Sequence, residues 1–219
     1  MQFVTRKIDI DIAHRVMREA IKCYNNHGHR YNIFLTFSFE QSEDIGYAID
    51  FKEIKRVYCQ WIDDMFDHGA IYNPHDTDFI APCVKHGTKL WLMSLNGVGA
   101  FCNPSVENVA KEMFIAIDYM AKNKKEHIYL HKIDVWETGN CYTTCKSESI
   151  TESERANFLN VHREKLDAYI KEVGTVEYDI LKRNTNETGS LNCQCGGSCG
   201  CSENVSSDLD YSKEVDNFL

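Results

Sequence analysis

An α+β fold is predicted for this 219-residue chain by three observations. Residues 2–14 and 31–39 alternate apolar and polar side chains as half-buried strands do. Residues 51–66 repeat apolar side chains at helical spacing, and Asn103-Pro104 opens a second helical stretch to about residue 122. A short apolar strand at 89–95 and a further alternating run at 128–137 complete the order β-β-α-β-α-β, which ends near residue 146.

The first strand ends at His14. In the second, Tyr31, Ile33, Leu35, Phe37 and Phe39 alternate with Asn32, Thr36 and Ser38, interrupted only by Phe34. Residues 15–28 form a polar connection between them. Antiparallel pairing lays the end of the first strand beside the start of the second, which carries His14 toward His27 and His29. Asp50 is the N-cap of the first helix, whose apolar positions are Phe51, Ile54, Tyr58, Trp61, Ile62 and Met65. Asn103 followed by Pro104 reads as the N-cap and first-turn proline of the second. In the last strand Tyr129, His131, Ile133, Val135 and Glu137 share one face.

Beyond residue 146, Thr151-x-x-Glu154 is a capping box before a third helix at about 152–173. Its apolar stripe is Phe158, Leu159, Leu166, Tyr169, Ile170 and Val173, expected to dock on the domain or on a neighbouring subunit. From about residue 184 the composition turns to Asn, Thr, Gly, Ser and Cys, which predicts a flexible tail. The chain thus divides into a domain at 1–146, a helical extension at 147–183 and a Cys-rich tail at 184–219.

A net charge of −9 with no basic stripe argues against nucleic acid as the main partner. Residues 1–10 carry Arg6, Lys7 and Asp9 and make no signal-peptide apolar region, and no run reaches the ~18 apolar residues of a membrane span. A soluble, cytoplasmic protein is expected. Six of the ten cysteines are scattered over 23–145 and four crowd into 193–201. In a reducing compartment such a layout points to metal or catalysis rather than a disulfide scaffold.

Chemistry concentrates in Cys23-x3-His27-Gly28-His29. Two histidines separated by one residue project to the same face of a strand, and His14 on the preceding strand supplies a third imidazole. Three histidines with one position open is the pattern of catalytic zinc. A cation there would bias Cys23, four residues before His27, toward thiolate. Cys23 can also be read as a small buried hydrophobe, against which its neighbours Lys22, Asn25 and Asn26 are polar. Glu107 reads as a first-turn glutamate favoured by the helix dipole, and His75, His86, His127, His131 and His162 are assigned no role. In the tail, Cys193, Cys195, Cys199 and Cys201 suit a soft ion such as Zn²⁺ or Cu⁺, or are a redox-sensitive tail without a specific role.

Taken together, Ala13-His14-Arg15, Cys23-x3-His27-Gly28-His29, Gly46-x3-Asp50-Phe51, Asp67-His68, Asn103-Pro104-Ser105-x-Glu107-Asn108 and Glu137-Thr138 resemble, in order, the 6-pyruvoyl-tetrahydropterin synthase / 6-carboxy-tetrahydropterin synthase family. The resemblance covers residues 2–146. It implies a tunnelling fold, in which antiparallel strands from several subunits join into a β-barrel with two helices per subunit outside. It also implies a homohexamer of two trimers with active sites at subunit interfaces. On this resemblance His14, His27 and His29 hold Zn²⁺, Cys23 is the catalytic base, Asp67 orients His68 as proton shuttle, and Glu137 anchors the pterin. Asp67 and His68 would point apart in a strand, so they require a turn, which Gly69 allows. Ser105 stands where the family usually has threonine, and residues 97–102 look like an insertion.

The substrate so implied is 7,8-dihydroneopterin triphosphate. The compact Cys-x3-His-Gly-His spacing and the Gly-x3-Asp-Phe segment look more like the carboxy branch, which loses acetaldehyde and feeds queuosine and other 7-deazaguanines. The pyruvoyl branch, which eliminates triphosphate, is the first alternative. A catalytically idle homologue that binds a pterin or a partner protein is the second.

Overall fold

Strands β1 (Gln2–His14) and β2 (His27–Phe39) form a long antiparallel ribbon in the computed structural model, which describes residues 2–39, 46, 48–124 and 127–174. The register sets His14 opposite His27 and Ile12 opposite His29. Residues directly opposite in an antiparallel pair share a face, so the ribbon itself gathers the three histidines. β2 starts at His27, four residues earlier than its alternation of large apolar residues suggests.

The helical stretch after Asp50 is one path in three parts: α1 (Phe51–Ile54), a π-helical turn at Lys55–Cys59, and α2 (Gln60–Phe66). The Asp50 carboxylate caps it, accepting the Lys52 N–H at 2.8 Å. β3 (Gly69–Tyr72), α3 (Thr77–His86) and β4 (Leu90–Leu92) follow. The second long helix, α4, spans Val106–Lys124. β5 (Tyr129–Trp136) and β6 (Tyr142–Cys145) then form a hairpin, and α5 spans Glu152–Val173.

The sheet order is β4-β3-β1-β2-β5-β6. It is mixed, not antiparallel throughout: β3 runs parallel to β1 and β4 parallel to β3. β3, α3 and β6 were not expected. The first and last are only four residues long, too short to show a period. α3 contains Pro82 and buries no side chain, so its short run of apolar residues is no core stripe. The face expected for the last strand is also corrected. A bulge between Thr36 and Phe37 shifts the register, so Ile133 and Val135 face the core but Leu130 replaces His131 there, and Tyr129 is 57 % exposed. One extra residue moves every later side chain to the other face.

Ile10, Ile12, Tyr31, Ile33, Leu35 and Phe37 form the sheet's half of the core, under Ile54, Trp61, Ile62 and the buried row Met113, Phe114 and Ile117 of α4. The opposite face carries Thr5, Phe34, Thr36, Lys132, Asp134 and Trp136 around an open concavity of about 540 Å³.

α5 packs on α4 of its own chain rather than awaiting a neighbour, with Phe158 and Leu166 in the core. Its Thr151–Glu154 capping box is formed. At its other end Arg56 donates to the Val173 carbonyl at 2.5 Å and Lys124 to the Gly174 carbonyl at 3.0 Å, which satisfies carbonyls left without helical donors. Tyr169 donates to the Val57 carbonyl within the π turn at 2.8 Å. The described residues fall within one unit, Met1–Val176, and the Cys-rich tail lies outside them. No helix among them is long and apolar enough to cross a membrane.

Candidate metal centre and active site

His14 closes β1 beneath the start of α4 and is 1 % exposed. Its Nδ1–H donates to the Pro104 carbonyl at 2.8 Å. A carbonyl only accepts, so Nδ1 holds the proton and Nε2 carries the lone pair. His27 repeats the device, with Nδ1 2.8 Å from the Asn25 carbonyl. The two Nε2 atoms then face each other at 3.2 Å, and two lone pairs cannot hydrogen-bond. The His29 ring completes the cluster, edge-on to His27 with centroids 4.8 Å apart.

One ligand atom from each of His14, His27 and His29 lies within 4.8 Å of the others. A tetrahedral ion with Zn–N bonds of about 2.0–2.1 Å holds nitrogens about 3.4 Å apart, so the residues present fit such an ion. Burial holds the His14 imidazole below its ordinary pKa, outweighing the Pro104 carbonyl and the nearby Glu137 charge. Burial lowers His29 as well, against Glu137. Both rings are therefore neutral near pH 7, the form that ligates a metal.

Glu137, just past β5, brings Oε1 to 3.5 Å from His14 Nε2 and 4.0 Å from His29 Nε2. Tyr31 OH donates to the same oxygen at 3.3 Å, and its ring stacks on His29 with centroids 6.2 Å apart. Alternation alone marks Tyr31 only as a core position of β2. The signal was present in the alternation, since Tyr31 follows His29 by two residues on the same face.

Cys23 lies in the connection from β1 to β2, where its carbonyl accepts the Val16 N–H at 2.8 Å. Burial, then the charges of Glu19 and Glu137, push its thiol up. A cation at the triad acts against all three.

Asp67 and His68 do occupy a turn, but Gly69 is not its flexible residue. His68 itself takes the left-handed backbone at φ 55°, while Gly69 begins β3 at a position where a Cβ would stand 3.0 Å from the Phe66 carbonyl oxygen. The turn is clamped to β1: the Asp67 carboxylate accepts the Asp11 N–H at 2.8 Å and His68 N–H donates to the Asp11 carbonyl at 2.8 Å. The other Asp67 oxygen holds His68 Nδ1 at 2.5 Å. Burial raises the Asp67 carboxyl, but the Asp11 N–H and His68 outweigh it and hold it below its usual range. The His68 side chain is 78 % exposed. Among the described residues no hydrogen bond, ion pair or ring contact joins this pair to the triad, Cys23 or Glu137.

Asn103 is not the N-cap. Ser105 is, its carbonyl accepting Val109 N–H at 2.9 Å and its hydroxyl standing 3.5 Å from Asn108 N. Behind the site Arg15 is locked to Asp76 by a bidentate pair at 2.6 and 2.7 Å, with its guanidinium between the rings of Tyr24 and Phe79.

Comparison with known proteins places this geometry. Residues 3–148 match the family described as 6-pyruvoyl tetrahydropterin synthase. The 6-carboxy-5,6,7,8-tetrahydropterin synthase of Rickettsia bellii is 29 % identical over 139 residues, covering 63 % of this chain and 95 % of that protein. The protein of the same name in Rickettsia felis is 30 % identical over 141 residues with the same coverage. Among solved structures, an uncharacterised protein of Wolinella succinogenes superposes with a TM-score of 0.52 at 14 % identity, covering 67 % of this chain and 98 % of that one. That last likeness concerns the fold alone.

Proposed function

The chain belongs to the 6-pyruvoyl tetrahydropterin synthase family, and on that premise we propose that it is a zinc-dependent 6-carboxy-5,6,7,8-tetrahydropterin synthase. Its substrate on this reading is 7,8-dihydroneopterin triphosphate, converted with loss of triphosphate and acetaldehyde in the route to queuosine and other 7-deazaguanines. The observation that carries the proposal is the convergence of His14, His27 and His29 on one point with the Glu137 carboxylate beside it.

Zinc held there would polarise the hydroxyls of the substrate side chain and ease loss of protons from the adjoining carbons. Glu137 accepts the paired donors of the pterin ring, an amino group and a ring N–H, in bidentate fashion, and Tyr31 OH steadies one of its oxygens. Cys23 takes the proton as thiolate, a form that its own surroundings disfavour without a cation. His68, held in one tautomer by Asp67, passes protons on. His68 is largely exposed and has no bond or ring contact to its own triad among the described residues, so on this reading a neighbouring subunit supplies it, in keeping with the interface-sharing hexamer that the resemblance implies. The helical extension is an addition of this chain outside the matched residues 3–148.

Curated relatives named for the carboxy product favour that branch over the pyruvoyl one. Purified protein loaded with zinc should hold about one ion per chain and release triphosphate from the substrate. The Cys23→Ala variant should keep the ion and lose turnover by ~10²–10⁴-fold. Zinc bound without turnover in the unsubstituted protein would leave only a pterin- or partner-binding role.

A further inference from the structure

We infer that Asn103 is a positioning residue for the metal centre, acting through the Pro104 carbonyl that fixes the tautomer of His14; this rests on the zinc reading above. The three histidines are not supported alike. His27 takes its Nδ1 acceptor from Asn25, only two residues before it in the loop that leads into β2. His14, the most buried of the three, takes its acceptor from Pro104, 90 residues distant. Its ligating nitrogen points into the site only while that remote carbonyl stays in place.

Pro104 cannot hold itself there. It has no N–H, and its fixed φ transmits the direction of the residue before it. That residue is Asn103, whose side chain makes three hydrogen bonds. Its Nδ2 donates to the Met17 carbonyl at 2.7 Å, and its Oδ1 accepts the Met17 N–H at 3.1 Å and Asn73 Nδ2 at 2.9 Å. Asn73 is itself fully buried. Asn108 Nδ2 donates to the Asn103 carbonyl at 2.9 Å. One amide thus pins the start of α4 both to the segment three residues past His14 and to the end of β3. Partners one step removed from a ligand commonly change metal affinity by 10–100-fold, and a backbone carbonyl is reached by substitution only through the side chain that holds it.

The test is zinc affinity of the full-length, metal-free protein, titrated against a chromophoric chelator, with thermal unfolding of the same metal-free samples. Asn103→Ala is compared with Asn157→Ala, which removes a bond to the Leu95 carbonyl at the other end of the same connection. Asn103→Ala should bind zinc ~10–100-fold more weakly, while Asn157→Ala keeps the unsubstituted affinity although both melt lower. Asn103→Ser, which cannot bridge both Met17 groups, serves if the alanine variant does not fold, and should weaken zinc in the same direction. Unchanged affinity in the Asn103 variants overturns the inference, and so does an equal loss in Asn157→Ala, which would mark a structural effect alone. No zinc binding by the unsubstituted protein would instead overturn the metal reading beneath it.

Discussion

Glu137 is the residue whose position invites two uses. Its Oε1 is 3.5 Å from His14 Nε2, near enough for a carboxylate to join the ligand set, yet the account makes it the pterin anchor. Glu137→Gln separates the two. As an anchor, its loss should weaken substrate binding by ~2–5 kcal/mol, the cost typical of a hydrogen-bonded charged contact, and lower zinc affinity far less than removing one of the three histidines does. A large fall in zinc affinity would assign it to the metal instead. At this scale much was legible. The convergence of His14, His27 and His29 follows from alternation plus antiparallel pairing, because together they set both face and register. The role of Asn103 was not legible, since a helix-opening Asn-Pro looks the same whether the side chain caps its own helix or a distant strand end.

Among the elements, α5 carries a buried histidine that the catalytic reading leaves unused. His162 stacks on Trp91 with ring centroids 4.4 Å apart, and its Nε2 meets Ser94 Oγ at 3.2 Å. Its Nδ1 is the buried side-chain atom without a partner among the described residues. Burial, then Lys165, brings its pKa down to about 4. The unfolded chain therefore binds a proton at His162 between pH 6.5 and 4 that the folded chain does not, and stability is lost as pH falls through that window. His162→Phe keeps the stacking and removes this proton. Its stability relative to the unsubstituted protein, followed by chemical denaturation, should improve as pH falls from 6.5 to 4, by as much as ~3 kcal/mol. A difference independent of pH would refute the assignment. Ser94 in turn hands its N–H to Glu112, which also accepts Trp91 Nε1 at 2.5 Å. Burial lifts this carboxyl to about 7 against those donors. None of this is periodic, so the chain showed α5 and its cap but not what it covers. The bulge at Thr36/Phe37 and the parallel β3 and β4 were hidden for a related reason: register with a distant strand is decided by packing, not by local pattern.

For the whole molecule, what matters is that no hydrogen bond, ion pair or ring contact among the described residues joins Asp67–His68 to the triad. On the proposed reading, this left-handed, exposed histidine, clamped by its own chain, serves the site of a neighbouring subunit. Mixed subunits test that directly. If each site takes Cys23 from one subunit and His68 from another, equal mixing of Cys23→Ala with His68→Ala should restore up to about a quarter of full activity, as expected for a heterologous interface. Sites contained within single subunits would give none.

The central claim is best tested by mass spectrometry of the products formed from 7,8-dihydroneopterin triphosphate by the zinc-loaded protein. The expected products are 6-carboxy-5,6,7,8-tetrahydropterin and acetaldehyde, both lost in Cys23→Ala. Unchanged substrate in the presence of bound zinc would contradict the claim, and a 6-pyruvoyl product would move the same residues to the other branch.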